Sequence, residues 1–322
     1  MAAFSTASAL VALALPSVAS AQAKKKNPAS KVYVSDVSGE AVIDTGDSIE
    51  DLSKRSVYTA QGTVIETKKP ENDADRDKYY STMVYSNGTG AFFDADTRVE
   101  VRRFVQEPFT PNRTDVETEP SISQTSAFLS RGAVGLCTSK LVAGSNMNYQ
   151  TPHGSVNIRG RKIVIETHGE LTKISMLEGD STVRGGPQDL GGHTLHSGEQ
   201  AIIRPGPPGQ PNIVQINAIP QGEVAQLDDK VAMACMAKKT VYFEVRDKKG
   251  GSDSADGGTD GAGDGGGDGT GGNGSVTAFD GNSGTSSVTT GREIVPVEVV
   301  PTNPPIQHTV SPASVTTNQP TG

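Results

Sequence analysis

Tryptophan is absent from this chain of 322 residues, and hydrophobic residues make up only 34% of it. That is a thin supply for one compact domain. The shortage is local, because most of the excess among the 37 glycines lies after Lys249. The folded part is therefore expected to end near there and to retain enough apolar residues for a sizeable core. Nowhere does the chain approach the ~20 consecutive apolar residues that cross a bilayer, so no transmembrane anchor is expected in the mature chain. Positive charge is also scarce. A net charge of −8 argues against a nucleic-acid partner, and Lys24-Lys25-Lys26 and Arg102-Arg103 are too short to supply a basic footprint. No nucleophile elbow, phosphate loop, zinc-protease helix or dinucleotide fingerprint occurs, so neither an enzyme nor a cofactor is expected.

The N-terminus lacks a Lys or Arg ahead of its apolar run, Ala9 to Leu15. The rest fits an export signal: Pro16 ends the run, and Ala19-x-Ala21 and Ala21-x-Ala23 are overlapping cleavage sites. Residues 1–23 are read as a signal peptide, with the mature chain starting at Gln22 or Lys24. No Cys follows the run, which argues against a lipoprotein anchor. The chain is thus expected in the periplasm or on the outer surface of a bacterium. There, Cys137 and Cys235 are compatible with one disulfide. Two small buried hydrophobes are the alternative.

From Lys31 to about Ile216 the chain is a succession of short runs such as KVYVS, EAVID, YSTMVYS, KIVIET and EQAIIR. They are rich in β-branched or alternating apolar residues and are punctuated by Gly, Asn, Asp and Pro. This pattern predicts an all-β roll, sandwich or solenoid-like domain over 31–247. No fixed period supports a strict repeat. Lys68 to Lys78 reads as a solvated charged loop, and Glu107 to Thr125 as a long surface loop. One helix is predicted at about 222–238, where Val224, Leu227, Val231, Ala234 and Cys235 share a face. TVYFEV, Thr240 to Val245, returns as a strand. Residues 250–322, Gly/Asp-rich and then Pro/Thr-rich, read as a disordered, extended tail. In that tail Pro296 and Pro301 argue against a central strand.

Two patterns invite a metal. His193 and His196 lie three apart in a β context, so they face opposite ways and no metal site is expected. Asp256, Asp260, Asp264 and Asp268 recur every fourth residue on a glycine chain and could hold Ca²⁺ weakly. Val276 breaks the nonapeptide repeat of calcium rolls, which leaves a plain solvated linker as the better reading.

The most informative segment is TPHGSVNIRG, Thr151 to Gly160. It follows RGAVGL, Arg131 to Leu136, and precedes MLEGDSTV, Met176 to Val183, and LHSGEQAII, Leu195 to Ile203. This ordered set resembles the FecR domain, an extracytoplasmic all-β module of bacterial envelope and signalling proteins. The hallmark strand is matched at Thr151, Pro152, Val156, Ile158, Arg159 and Gly160, with Arg161 where the family usually has Thr. Gly179 and Gly198 match its later turns. In FecR regulators the domain follows an anti-sigma segment and a membrane span. Neither is read here, so the resemblance implies the domain and not that pathway. It implies a non-catalytic domain binding a protein or an envelope polymer, in sensing or scaffolding. A structural envelope protein is the first alternative and a hydrolase with an unrecognised site the second. Physically, the three glycines read as turn residues at positive φ. Arg159 reads either as a buried fork tying several carbonyls together or as an exposed turn residue.

Overall fold

The computed structural model describes residues 30–109, 117–247 and 292–299. The expected signal peptide, most of the expected tail and the four spaced aspartates lie outside the described residues. Seventeen strands build the main body: β1 (Lys31–Ser38), β2 (Ala41–Asp44), β3 (Ile49–Asp51), β4 (Val57–Thr59), β5 (Val64–Thr67), β6 (Tyr80–Tyr85), β7 (Gly90–Phe93), β8 (Thr97–Gln106), β9 (Ser123–Cys137), β10 (Asn146–Gln150), β11 (Ser155–Ile158), β12 (Lys162–His168), β13 (Leu171–Glu178), β14 (Ser181–Arg184), β15 (His193–Leu195), β16 (Glu199–Arg204) and β17 (Ile213–Ala218). Helix α1 (Gln221–Lys238) follows, and then a two-stranded ribbon, β18 (Val241–Asp247) with β19 (Arg292–Glu298).

The all-β expectation holds, and the form is a two-layer sandwich. The first layer runs β4-β1-β6-β7-β9-β12-β13-β16-β17. The second runs β3-β2-β5-β8-β9-β10-β11-β14-β15. The long strand β9 belongs to both. Its N-terminal part pairs with β8 and β10, and its C-terminal part with β7 and β12. The crossing point is Gly132, at φ +89, where a Cβ would lie 2.5 Å from the Asp96 carbonyl. Only glycine accepts both that dihedral and that approach.

Burial follows from what covers each layer. In the second layer β2, β5, β10 and β11 alternate buried with half-buried or exposed residues, so one face meets the core and the other meets solvent. In the first layer β7 is buried throughout, as are the last six residues of β9. There the outer face is covered too. Ile43, Ile65, Leu129, Tyr149, Val156 and Ile158 from one layer pack with Met83, Phe93, Leu136, Ile163, Ile165 and Ile174 from the other in a single core.

Helix α1 is the first cover. Leu227, Val231 and Ala234 pack on Phe92, Cys137 and Val164, whereas Val224, expected on this face, is exposed. Gly90 and Gly135 let the helix come close: a Cβ on Gly90 would lie 2.0 Å from the Ala234 carbonyl oxygen. Lys230 reaches Asp94 at 3.0 Å and Glu166 at 2.8 Å, and Lys173 reaches Glu223 at 3.1 Å. Cys235 is disulfide-bonded to Cys137, with Cα atoms 5.1 Å apart. That geometry decides between the two readings of the cysteines.

The ribbon is the second cover, and it corrects the boundary drawn from sequence. Residues 292–298 fall in the expected tail, yet they form β19. Ile294 is buried with Val241, Phe243, Tyr33 and Val84. The Tyr33 hydroxyl donates to Glu298 at 2.5 Å. Burial, reinforced by that carboxylate, pushes the Tyr33 pKa up to about 12. Pro296 is tolerated because the ribbon has only two strands, so a missing N–H can face away from the partner.

Candidate functional site

The segment from Thr151 to Gly160 turns into β11 through a pinned loop. The Thr151 hydroxyl lies 3.1 Å from both the backbone N–H and the carbonyl of Gly154, and it accepts from the Thr172 hydroxyl at 3.0 Å. Thr172 in turn contacts His153 Nδ1 at 3.0 Å, and burial lowers the His153 pKa. The Asn212 amide donates to the His153 carbonyl at 2.5 Å. Pro152 is exposed on the loop surface. With this entry fixed, strand parity does the rest. Val156 and Ile158 enter the core, and Ser155, Asn157 and Arg159 face outward.

Arg159 is therefore exposed, and among the described residues its guanidinium has no hydrogen bond or ion pair. The buried-fork reading is overturned, because parity two residues after Asn157 sends the side chain to solvent. Other groups hold the turn. The Thr138 hydroxyl donates to the Gly160 carbonyl at 2.6 Å, and the Thr138 N–H to the Arg161 carbonyl at 2.8 Å. Gly160 does not have a positive φ, unlike the expectation. Its role is close approach: a Cβ on Gly179, itself at φ +99, would lie 2.4 Å from the Gly160 Cα. The two motif glycines are thus stacked backbone to backbone. Gly198 has φ +83 with open space around it, in the turn leading to β16. Arg161 pairs with Glu117 and, at 3.4 Å, with Glu178.

The outward residues of β10, β11 and β14 make the candidate site. The register aligns Thr194, Thr182, Asn157, Asn148 and Ser126 across five strands, a continuous row of uncharged amides and hydroxyls. The next row aligns Arg184, Ser155, Gln150 and Phe128. A groove of about 180 Å³ lies here, lined by Asn148, Ser155, Asn157, Arg159, Thr182 and Arg184. It holds two guanidiniums and no carboxylate. Arg184, like Arg159, is exposed and has no side-chain hydrogen bond or ion pair among the described residues.

A second groove of about 340 Å³ shares Ser155 and Arg184 with the first and continues to Pro187 and Leu190, the latter 84% exposed. Its one carboxylate, Asp189, accepts from the Gly185 and Gly192 N–H groups at 2.9 Å each. Those bonds hold its pKa below the usual value, so Asp189 shapes the loop. At the row's far side Arg102 lies 4.3 Å above the Phe128 ring and donates to Gln150 at 2.8 Å.

The other polar clusters act within the fold. Glu119, on the stretch expected as a surface loop, is 3% exposed. It accepts from the hydroxyls of Ser123 and Ser145, the latter at 2.6 Å. Burial still raises its pKa, because those bonds only partly offset desolvation. His193 and His196 sit against different aspartates, Asp189 at 3.4 Å and Asp180 at 2.9 Å. A groove of about 500 Å³ runs beside α1 between Tyr79, Phe92 and Lys230. Its ammonium is already taken by Asp94 and Glu166.

Asn148, Thr182 and Arg184 were not singled out from the sequence. The signal was available in NMNYQ and SVNIR, where polar residues alternate with Met147, Tyr149, Val156 and Ile158. It reads as ordinary strand alternation until the pairing of β11 with β10 and β14 places the polar sides together.

No family model matches the chain, and no curated protein does. Two solved structures that resemble it are crystal structures of a putative anti-sigma factor from Parabacteroides distasonis ATCC 8503. Both are 14% identical, with TM-scores of 0.34 and 0.33. Each match covers 50% of this chain and 62% of the other, and at that level it carries no argument about function.

Proposed function

We propose that the chain is an exported FecR-like β domain, without catalytic activity, that binds an envelope polymer or a protein through the outer face of the second layer. The observation that carries this reading is the row of uncharged amides and hydroxyls on the outer face of β10, β11 and β14, with only Asn157 tied to a neighbour, Asn146, and flanked by the exposed guanidiniums of Arg159 and Arg184. The first layer is unsuited to the same use, since α1 and the ribbon already cover much of its outer face. The disulfide between Cys137 and Cys235 supports an oxidising compartment outside the cytoplasm.

The test is retention of the purified protein on isolated bacterial envelopes, compared among variants. Asn148→Ala with Asn157→Ala should release it, and Gln226→Ala in the groove beside α1 should not. Release by the α1-side variant alone would move the working surface to the opposite layer and refute the proposal.

A further inference from the structure

Resting on that outer-face reading, we infer that the groove between Arg159 and Arg184 is a binding site for an acidic polysaccharide, one charged through the carboxylates of uronic-acid sugars. The lining decides the chemistry. Asn148, Asn157, Ser155 and Thr182 offer donors and acceptors without net charge, and no aliphatic or aromatic side chain lines this groove. Neighbouring strands present such groups about every 4.8 Å across the sheet, which suits a repeating array of hydroxyls. The charge comes only from the two guanidiniums, whose planar forks match a carboxylate in two parallel hydrogen bonds.

Register sets the length. Arg184 stands opposite Ser155, and Arg159 lies four residues beyond Ser155, immediately past the end of β11. At about 3.3 Å per residue the two Cα atoms are separated by roughly 13 Å along the strand. One extended chain lying along β11 can therefore meet both arginines with different sugars. The adjoining groove past Arg184 gives that chain a continuation.

Other polymers fit less well. A peptide added as a strand needs a free sheet edge, and β10, β11 and β14 each have partners on both sides. A nucleic acid needs a positive footprint and stacking rings. The groove offers only two guanidiniums and has no aromatic lining on which bases could stack.

The experiment is calorimetric titration of the full chain with polygalacturonate, dextran sulfate and neutral dextran, at low and high salt. Polygalacturonate should bind most tightly. Arg159→Gln and Arg184→Gln should each weaken it about ten-fold, and Arg159→Lys should recover only part. Both side chains are exposed, so unchanged melting curves will separate lost contacts from lost folding. Equal binding of dextran sulfate would overturn the carboxylate assignment. Equal binding of neutral dextran, unaffected by either Gln variant, would overturn the charge assignment and leave the outer-face reading standing. If none of the three polymers binds while Asn148→Ala with Asn157→Ala still releases the protein from envelopes, this inference fails and the broader proposal survives.

Discussion

The disulfide offers the most quantitative test of how the sandwich is held. Cys137 ends β9 and Cys235 lies in the last half of α1, 98 residues apart in sequence. Closing a loop of that length in the unfolded chain lowers its entropy by an amount worth about 4–5 kcal/mol at 25 °C in the chain-entropy model. The bond should not be needed to place the helix. Leu227, Val231 and Ala234 remain buried on the sheet, and Lys230 and Glu223 keep their partners. Reduction should therefore leave α1 docked while removing a large part of the stability margin, which for most domains is about 5–15 kcal/mol. With about 2–4 °C per kcal/mol for a domain of this size, the thermal midpoint should fall by roughly 10–20 °C. Urea melts of oxidised protein, reduced protein and Cys137→Ala with Cys235→Ala would measure the change. Alkylation with mass analysis would confirm the thiol state. A shift of less than about 1 kcal/mol with both thiols free would refute the loop-entropy reasoning. Thiols that alkylate in the native protein before reduction would refute the pairing itself.

Ending the chain after Asp247 should cost at least about 2 kcal/mol in a denaturant melt, because Ile294 is withdrawn from Val241 and Phe243 and Tyr33 loses Glu298; an unchanged midpoint would show that β19 adds nothing. Gly179→Ala combines a positive φ with a backbone clash against Gly160 and should cost about 2 kcal/mol or more, whereas Gly62→Ala, also at positive φ but in open space, should cost less. Lys230→Met leaves Asp94 and Glu166 facing each other without their cation and should destabilise by about 2–4 kcal/mol, with part recovered by adding Glu166→Gln. Because burial raises the folded pKa of Glu119, its contribution is fully present below the unfolded value of about 4.3 and is lost as pH rises through the folded pKa. Glu119→Gln should remove that loss, so its stability should fall less than wild type's on going from acid to neutral pH. Parallel pH profiles would contradict this.

The residues that make the motif legible in sequence are the ones that build the fold. Thr151 ties the entry loop, Val156 and Ile158 fill the core, and Gly160 and Gly179 touch. The pattern from Thr151 to Gly198 is dense in such residues because turns and close approaches demand particular residue types. The candidate site uses the positions in between. Ser155, Asn157 and Arg159 occupy the solvent side of the same strand, where many polar residues satisfy local geometry and none is required by it.

Local chemistry in the chain was enough to determine the β class, the helix before Thr240 and the turns at Gly179 and Gly198. Period-two and helical spacing, together with positive-φ glycines, act within a few residues. Tertiary structure alone decided that Cys137 meets Cys235, that β19 returns across a long gap to cover Tyr33, and that β9 serves both layers. It also decided that Arg159 faces solvent beside Arg184 and not into a turn. Each of these depends on which strands become neighbours. That choice is made by burying one shared core from segments far apart in the chain, so it is not written in any single stretch of sequence.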